Sequence, residues 1–326
     1  RRRAAYDSAS VMLRDTPEGF RYLQRGAGHD ARTSGPVLAA PANRVRTAVM
    51  GLLVDPNIST PLPFAGLSYV DFDLFGTGTQ VNAFFGGTYA QFAFAAPSLA
   101  GTRWQLAGRA FAIASSFNDR AFEQGREIYE HNITQRPAYA SVWALRPVNT
   151  WLSIRVGYEL DYTQFGASYL TATEFTVPAD QVAHSLRLAV EGQHAGWNGS
   201  LWWAGSRRSG WKPWGLGTED YSVHHADYHR YLPTLTAPFV LSQSVIARLE
   251  AAWMDGHDLD RFSRYAFGTF DNRLRGYPSA LIRYDRGGVV RAAVAWAAGR
   301  QLRVDGFADS AYVLDPGFGR HYRSYP

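Results

Sequence analysis

The sequence predicts an all-β protein, an antiparallel transmembrane β-barrel. Three observations predict it. Apolar and polar residues alternate with period two through most of the chain, and helical periodicity is almost absent. Charges of both signs sit in the middle of the polar faces, where a wet interior can solvate them. Aromatic residues crowd the ends of strand-like segments, as in GSLWWAG, GWKPWG and ASVWALRP, which suits interfacial girdles. A soluble β-sandwich or propeller would share the alternation, but it would bury the apolar face instead of turning it to lipid.

The composition agrees. The 326 residues include 10 Trp, 18 Tyr, 19 Phe and 31 Gly, and only 19% are charged. There is no cysteine, which excludes a disulfide scaffold and a thiolate metal site and fits export through an oxidising periplasm. No run of ~18 apolar residues occurs, so no transmembrane helix is expected. The opening RRRAAYDSASVMLRD has positive charge but no apolar core of a secretory signal. The net charge of +5 is spread along strand-like segments without a basic stripe, so no nucleic-acid partner is expected.

Taken in order, residues 1–43 read as an N-terminal segment ending in the linker GPVLAAPAN, and residues 44–326 as the barrel domain. Strands are expected at 45–54, 66–75, 79–88 and 90–96. RWQLAGRA then sets Trp104 and Leu106 against Arg103, Gln105 and Arg109, and further strands follow at 109–115 and 138–146. The clearest strand is WLSIRVGYELDY, residues 151–162. It places Leu152, Ile154, Val156, Tyr158, Leu160 and Tyr162 on one face, and Ser153, Arg155, Gly157, Glu159 and Asp161 on the other. Its length matches the ~9–11 residues with which a tilted strand crosses a bilayer. SLRLAVE repeats the pattern, with Leu186, Leu188 and Val190 opposite Ser185, Arg187 and Glu191. So does SVIARLEAAW, with Val245, Ala247, Leu249, Ala251 and Trp253 opposite Arg248 and Glu250. The remaining expected strands are 198–206, 222–232, 284–297 and 302–313.

One connection is unusual. DNRLRGYPSALIRYDRGG, residues 271–288, lies between two strands yet carries Arg275, Gly276 and Tyr277 in succession. With LFGTGTQVNAFFGGTYAQFAFAAPSLAGTRWQLAGRAF at residues 74–111, LRGYP resembles the outer-membrane assembly family of BamA and TamA. That family carries a Val-Arg-Gly-Phe/Tyr motif on a long extracellular loop and a Phe-x-Asp-x-Gly motif on a later strand. FADSA supplies Phe307 and Asp309, with Ala311 where the family has glycine. The resemblance implies that the loop folds back into the barrel and that Arg275 meets Asp309 there. The chemistry is reasonable, because a guanidinium inside a barrel needs a carboxylate and its planar fork can grip one bidentately. Gly276 lets the tip turn or approach the wall closely, and Tyr277 can pack a ring there and donate its hydroxyl.

The resemblance further implies a sixteen-stranded barrel in the bacterial outer membrane, with no cofactor. Such a barrel would assist insertion of other β-barrel proteins at a weak seam between its first and last strands. The first strand would lie near residues 45–54. Implied partners are outer-membrane lipids, client β-barrel proteins and POTRA-associated or lipoprotein subunits. Two departures suggest a fragment: nothing reads as a POTRA domain, and the chain ends in RHYRSYP without a final amphipathic strand. A passive channel or secretion pore of the same architecture is the alternative, and an outer-membrane enzyme a second one.

Catalytic chemistry finds little support. In SVHHADYHRY, His225, Asp227 and His229 share a strand face and could bind zinc, but a polar segment without metal is the simpler reading. GTGTQ lacks the Gly-Lys-Ser/Thr ending of a phosphate loop. The sequon at Asn198 falls between strands. Glu159 and Asp161 read as polar lining of a lumen, not a hydrolytic pair. No enzyme and no metal are expected.

Overall fold

The computed structural model describes residues 44–54, 61–123, 126–216, 225–267, 282–298, 302–315 and 320–324, and two short strands before them. The chain divides into two compact units. The first comprises residues 1–55, 60–115 and 138–146, and the second comprises 56–59, 116–137 and 147–326.

In the first unit, β1 (Met12–Asp15) and β2 (Arg21–Gln24) form a hairpin. Then come β3 (Arg44–Leu53), β4 (Leu62–Leu74), β5 (Thr79–Phe85), β6 (Tyr89–Ala96) and β7 (Gln105–Ile113), each antiparallel to the next. The two strands expected at 103–110 and 109–115 are thus one. The chain continues through β8 (Phe117–Asp119), β9 (Phe122–Glu123), β10 (Arg126–Glu127) and a single 3-10 turn at Tyr129–His131. It then enters β11 (Ile133–Pro147). Residues Ala138 to Leu145 of β11 complete the first unit by pairing with β7, with Ser141 opposite Arg109. Rings from successive strands touch along one face: Phe84 stacks on Tyr89 at 4.7 Å and Phe111 on Tyr139 at 5.5 Å. The Arg109 guanidinium lies 4.9 Å from the Tyr139 ring.

The second unit contains β12 (Leu152–Ala167), β13 (Gln181–His194), β14 (Trp197–Ser209), β15 (Asp227–Val240) and β16 (Val245–His257). Two-residue strands β17 (Tyr265–Ala266) and β18 (Arg283–Tyr284) pair with each other. The long strands resume with β19 (Arg286–Ala298), β20 (Leu302–Asp315) and β21 (Arg320–Ser324). The order is β12-β13-β14-β15-β16-β19-β20-β21, antiparallel throughout.

Two expectations need correction. The strand expected at 222–232 begins at Asp227 and runs through Pro233 and Pro238 to Val240. A proline removes only its own ladder donor, and the neighbours on both sides of β15 keep it in register. The RHYRSYP terminus, expected to lack a strand, contributes β21, because Arg320–Ser324 pairs with Ala311–Asp315 at the end of β20.

Burial in the second unit is inverted relative to a water-soluble sheet. On β12, Arg155 and Glu159 are 8% and 4% exposed, while Val156 and Tyr158 between them are 36% and 43% exposed. On β13, Ser185, Arg187 and Ala189 are buried, and Leu186, Leu188 and Val190 face out. Leu152, Ile154, Val156, Leu186 and Leu188, the set expected to point outward, all lie on that outer face. Among the described residues no second sheet covers them, which speaks against the sandwich alternative. A sheet that buries charge and exposes aliphatic side chains is matched to lipid outside and a polar interior within. Aromatics bracket the aliphatic band: Tyr158, Tyr162, Trp203, Tyr231 and Trp253 towards one end, Trp151, Trp197, Phe239 and Trp296 towards the other.

The two ends differ in their connections. From β7 to β20 the short ones, 148–151, 195–196, 241–244 and 299–301, alternate with the long ones, 116–132, 168–180, 210–226 and 258–285, while the following connection at the long end, 316–319, is short. Ala195 and Gly196 both adopt positive φ, 48° and 85°, as a two-residue hairpin turn demands. Short turns at one end and long loops at the other is the asymmetry of outer-membrane barrels.

Candidate functional site

The long connections of the second unit pack on one another. Ile133 of β11, Phe175 and Trp214 form a buried cluster, joined by Phe165, Leu216 and Phe262. Thr176 and Gly215 link two of the connections by a backbone bridge. Thr171 donates its hydroxyl to the Asn132 carbonyl, and the Ala172 N–H donates to the Glu130 carbonyl at 2.9 Å.

The connection between β16 and β19 turns inward. Asp258, which tolerates the left-handed region better than most residues, makes the turn at φ 57°. Leu259 folds back over Gly256, where an added Cβ would stand 2.3 Å from the leucine Cδ1. Leu259, Asp260, Arg261, Tyr265 and Phe267 are all buried, as is Tyr284 on the returning stem. Tyr265 and Phe267 each pack a ring on Tyr284, at 5.8 Å and 4.9 Å. The three rings then join Trp202, Leu232, Met254 and Val313 on the inner strand face. The Tyr265 hydroxyl donates to the Tyr231 carbonyl at 3.0 Å.

Charges fix both stems. Asp119, at the end of β8, is 3% exposed and takes ion pairs from Arg261 and Arg283, the latter at 2.6 Å. Arg261 also donates to the carbonyls of His131 at 2.7 Å and Asp119 at 2.8 Å, while Arg283 donates to the Arg261 carbonyl. Burial pushes the Asp119 carboxyl up, but the two guanidinium groups outweigh it and hold it below the usual carboxylate range. On the first stem, Asp260 caps its own turn by accepting from the Ser263 N–H at 2.8 Å. Arg208, from β14, reaches Asp260 at 3.2 Å and donates to the Ser263 hydroxyl at 2.8 Å. Its guanidinium also lies 4.1 Å from the Tyr228 ring. Farther out, Arg120 holds Glu127 below its ordinary range through a 2.9 Å hydrogen bond.

The inner strand face continues this chemistry. Arg187 pairs with Glu159, and Arg155 with Glu191 at 2.7 Å, both diagonally across the β12–β13 ladder. Trp202 lies 5.0 Å from the Arg187 guanidinium.

Of the residues expected at the site, Phe307 and Asp309 sit on the inner-facing register of β20 with Ala311 and Val313. Asp309 is buried and Phe307 is 63% exposed. Asp309 faces Arg291 directly across the ladder, with Nε and Oδ1 3.6 Å apart. Arg291 also reaches Glu250 at 3.3 Å. Arg275, Gly276 and Tyr277 lie outside the described residues. His225, Asp227 and His229 are exposed on the outer side, where His229 stacks on Trp203 at 5.9 Å. Asp119, Arg208, Asp260, Arg261 and Arg283 went unnoticed in the sequence. DLDRFSRYAF, with acids and arginines interleaved among aromatics in a connection, was the available signal.

The fold class is that of antiparallel transmembrane β-barrels. No family model matches the sequence, and no curated protein matches it. Among solved structures, the fold is similar to BamA from Haemophilus ducreyi lacking POTRA domains 1–3. The TM-score is 0.55 at 10% identity, covering 98% of this chain and 68% of that one. It is also similar to CdiB from Escherichia coli, with TM-score 0.56, 12% identity and coverage of 93% and 56%. CdiB from Acinetobacter baumannii gives 0.53, 12%, and 86% and 51%. The chain thus spans about half the length of the CdiB chains. The likeness to BamA expected from LRGYP is found in the fold.

Proposed function

We propose that the protein sits in a bacterial outer membrane and assists the insertion of other β-barrel proteins, without covalent chemistry. The observation that carries this is the pair of buried, inward-turned stems, residues 258–267 and 282–285, anchored by ion pairs inside an inside-out sheet and flanking the segment that bears LRGYP. The fold's likeness to BamA supports it. In this reading Arg275 descends with the loop and joins Asp309 and Arg291. β3, whose described pairing is to β4 alone, presents a strand edge to a client. Client barrels, membrane lipids and periplasmic POTRA-associated or lipoprotein subunits are the partners.

A secretion pore or channel of the same architecture is the second reading, favoured by similar likeness to two CdiB structures. Proteoliposomes separate the two. An insertase accelerates folding of a urea-unfolded eight-stranded barrel client into the vesicles and leaves their ion permeability low. A pore raises conductance and leaves client folding at the rate of empty vesicles.

A further inference from the structure

The outer side of β13–β19 changes character above the aromatic girdle at the long-connection end. Across the ladders, His184 stands opposite Arg207, and Arg207 opposite Asp227. One step nearer the girdle, His229 stands opposite His257, and Asp255 opposite Arg286. All of these side chains lie on the outer register, in line with Leu186, Leu201, Leu235 and Leu249 below them. The belt therefore continues the lipid-facing band and meets the headgroup layer.

The belt's two carboxylates are unequally engaged. Asp255 is held by Arg286 at 3.0 Å, whereas Arg207 approaches Asp227 only to 3.8 Å, beyond hydrogen-bond reach. The Arg207 side chain is 75% exposed. His229 is its diagonal neighbour on β15, ~7–8 Å away by ladder geometry, close enough for one phosphate to lie between them. Gly205, directly opposite His229, lets the Trp203 ring lie over it, since a Cβ there would stand 2.8 Å from that ring and 3.5 Å from the His229 Nδ1, and the indole so placed stacks on His229. His184 is oriented by the Tyr158 hydroxyl, 2.5 Å from its Nδ1.

We propose that Arg207 and His229, flanked by His184, bind the phosphate of an outer-leaflet lipid headgroup, its acyl chains lying on the aliphatic band beneath. A guanidinium fork suits a phosphate, and Trp203 holds the His229 ring flat beside it. This rests on the membrane reading of the sheet.

The test is native mass spectrometry of the full chain in detergent with diphosphorylated lipid A, and with the same lipid after removal of its phosphates. The phosphorylated lipid is expected to be retained preferentially. Arg207→Gln should lower that retention about fivefold, the equivalent of one basic residue near a charged membrane surface. His229→Gln should lower it less, and neither should change retention of the dephosphorylated lipid. His194→Gln, exposed at the opposite end of β13, should change neither. Heat-modifiable gel migration confirms that each variant is folded. Equal retention of the two lipids, or an unaltered preference in Arg207→Gln, overturns the phosphate site while leaving the membrane reading intact. Retention of neither lipid fails the membrane reading itself.

Discussion

Arg187 and Leu188 are adjacent in β13, yet one is 7% exposed inside and the other 43% exposed outside. The two faces of the second unit follow different rules all along the sheet. The inner face buries ions and satisfies them with opposite charges, aromatic rings and the stems of an inward connection. The outer face carries aliphatic side chains that its strands leave nearly half exposed. Burial and hydrophobicity, which coincide in water-soluble domains, have come apart here, as they do where lipid takes the place of a core in the proposed membrane setting. The inner face is therefore specific, with each charge depending on a partner, whereas the outer face is generic and limited only by what lipid tolerates.

Breaking the buried carboxylate that two arginines share should have the largest effect. Asp119→Ala would leave Arg261 and Arg283 without their shared carboxylate, a loss of about 3–5 kcal/mol expected for a broken buried pair. Denaturant titration of the folded protein checks this, and proteolysis within 258–285 should rise alongside. An effect below about 1 kcal/mol would mean that water reaches the site. The outer face should be nearly as sensitive, but only to charge. Ile154→Arg should cost about 2–4 kcal/mol if Ile154 lies near the bilayer midplane, while Ile154→Leu should be close to neutral in the same vesicle-based titration. If Ile154→Arg is tolerated, the outer face is not in lipid.

Acid separates the faces in another way. The folded-state pKa of Asp119 is depressed, so its contribution is fully present above the unfolded value of ~3.9 and is lost as pH falls from there through the lower folded value. Stability should decline in that window, and Asp119→Asn should flatten the decline. A double-mutant cycle on Arg275→Ala and Asp309→Ala sharpens the inner-face picture next. Coupling of about 3 kcal/mol or more is expected in a dry site and about 1 kcal/mol or less in a wet one, read from barrel assembly and heat-modified mobility. Zero coupling would leave Arg291 as the partner of Asp309. The smallest effect should come from Arg248→Ala. Its pair with Glu250 is 2.8 Å long but well exposed, so about 0–1 kcal/mol is expected.

Much of the sheet was legible because period two survives at the level of single strands. WLSIRVGYELDY names both its faces, and the only unknown was which face met the core. The strand past Pro233 was not legible, since a proline reads locally as a stop and its neighbours' register is invisible in one strand. The terminal β21 was hidden for the same reason: five polar and aromatic residues form a strand only because the end of β20 pairs with them.

The sequence by itself determined the alternation, the aromatic strand ends, the absence of a helix long enough to cross a membrane, and the LRGYP segment as a connection out of the ordinary. These are local properties, carried by side chains a few residues apart. Only the tertiary structure decided that Asp119 should hold arginines from positions 261 and 283, that Asp309 should face Arg291, and that DLDRFSRYAF should turn inward instead of lying in water. Each of those depends on segments brought together across a hundred residues or more, or on the pairing of one strand with another. A buried charge announces its partner only when the fold has placed that partner beside it.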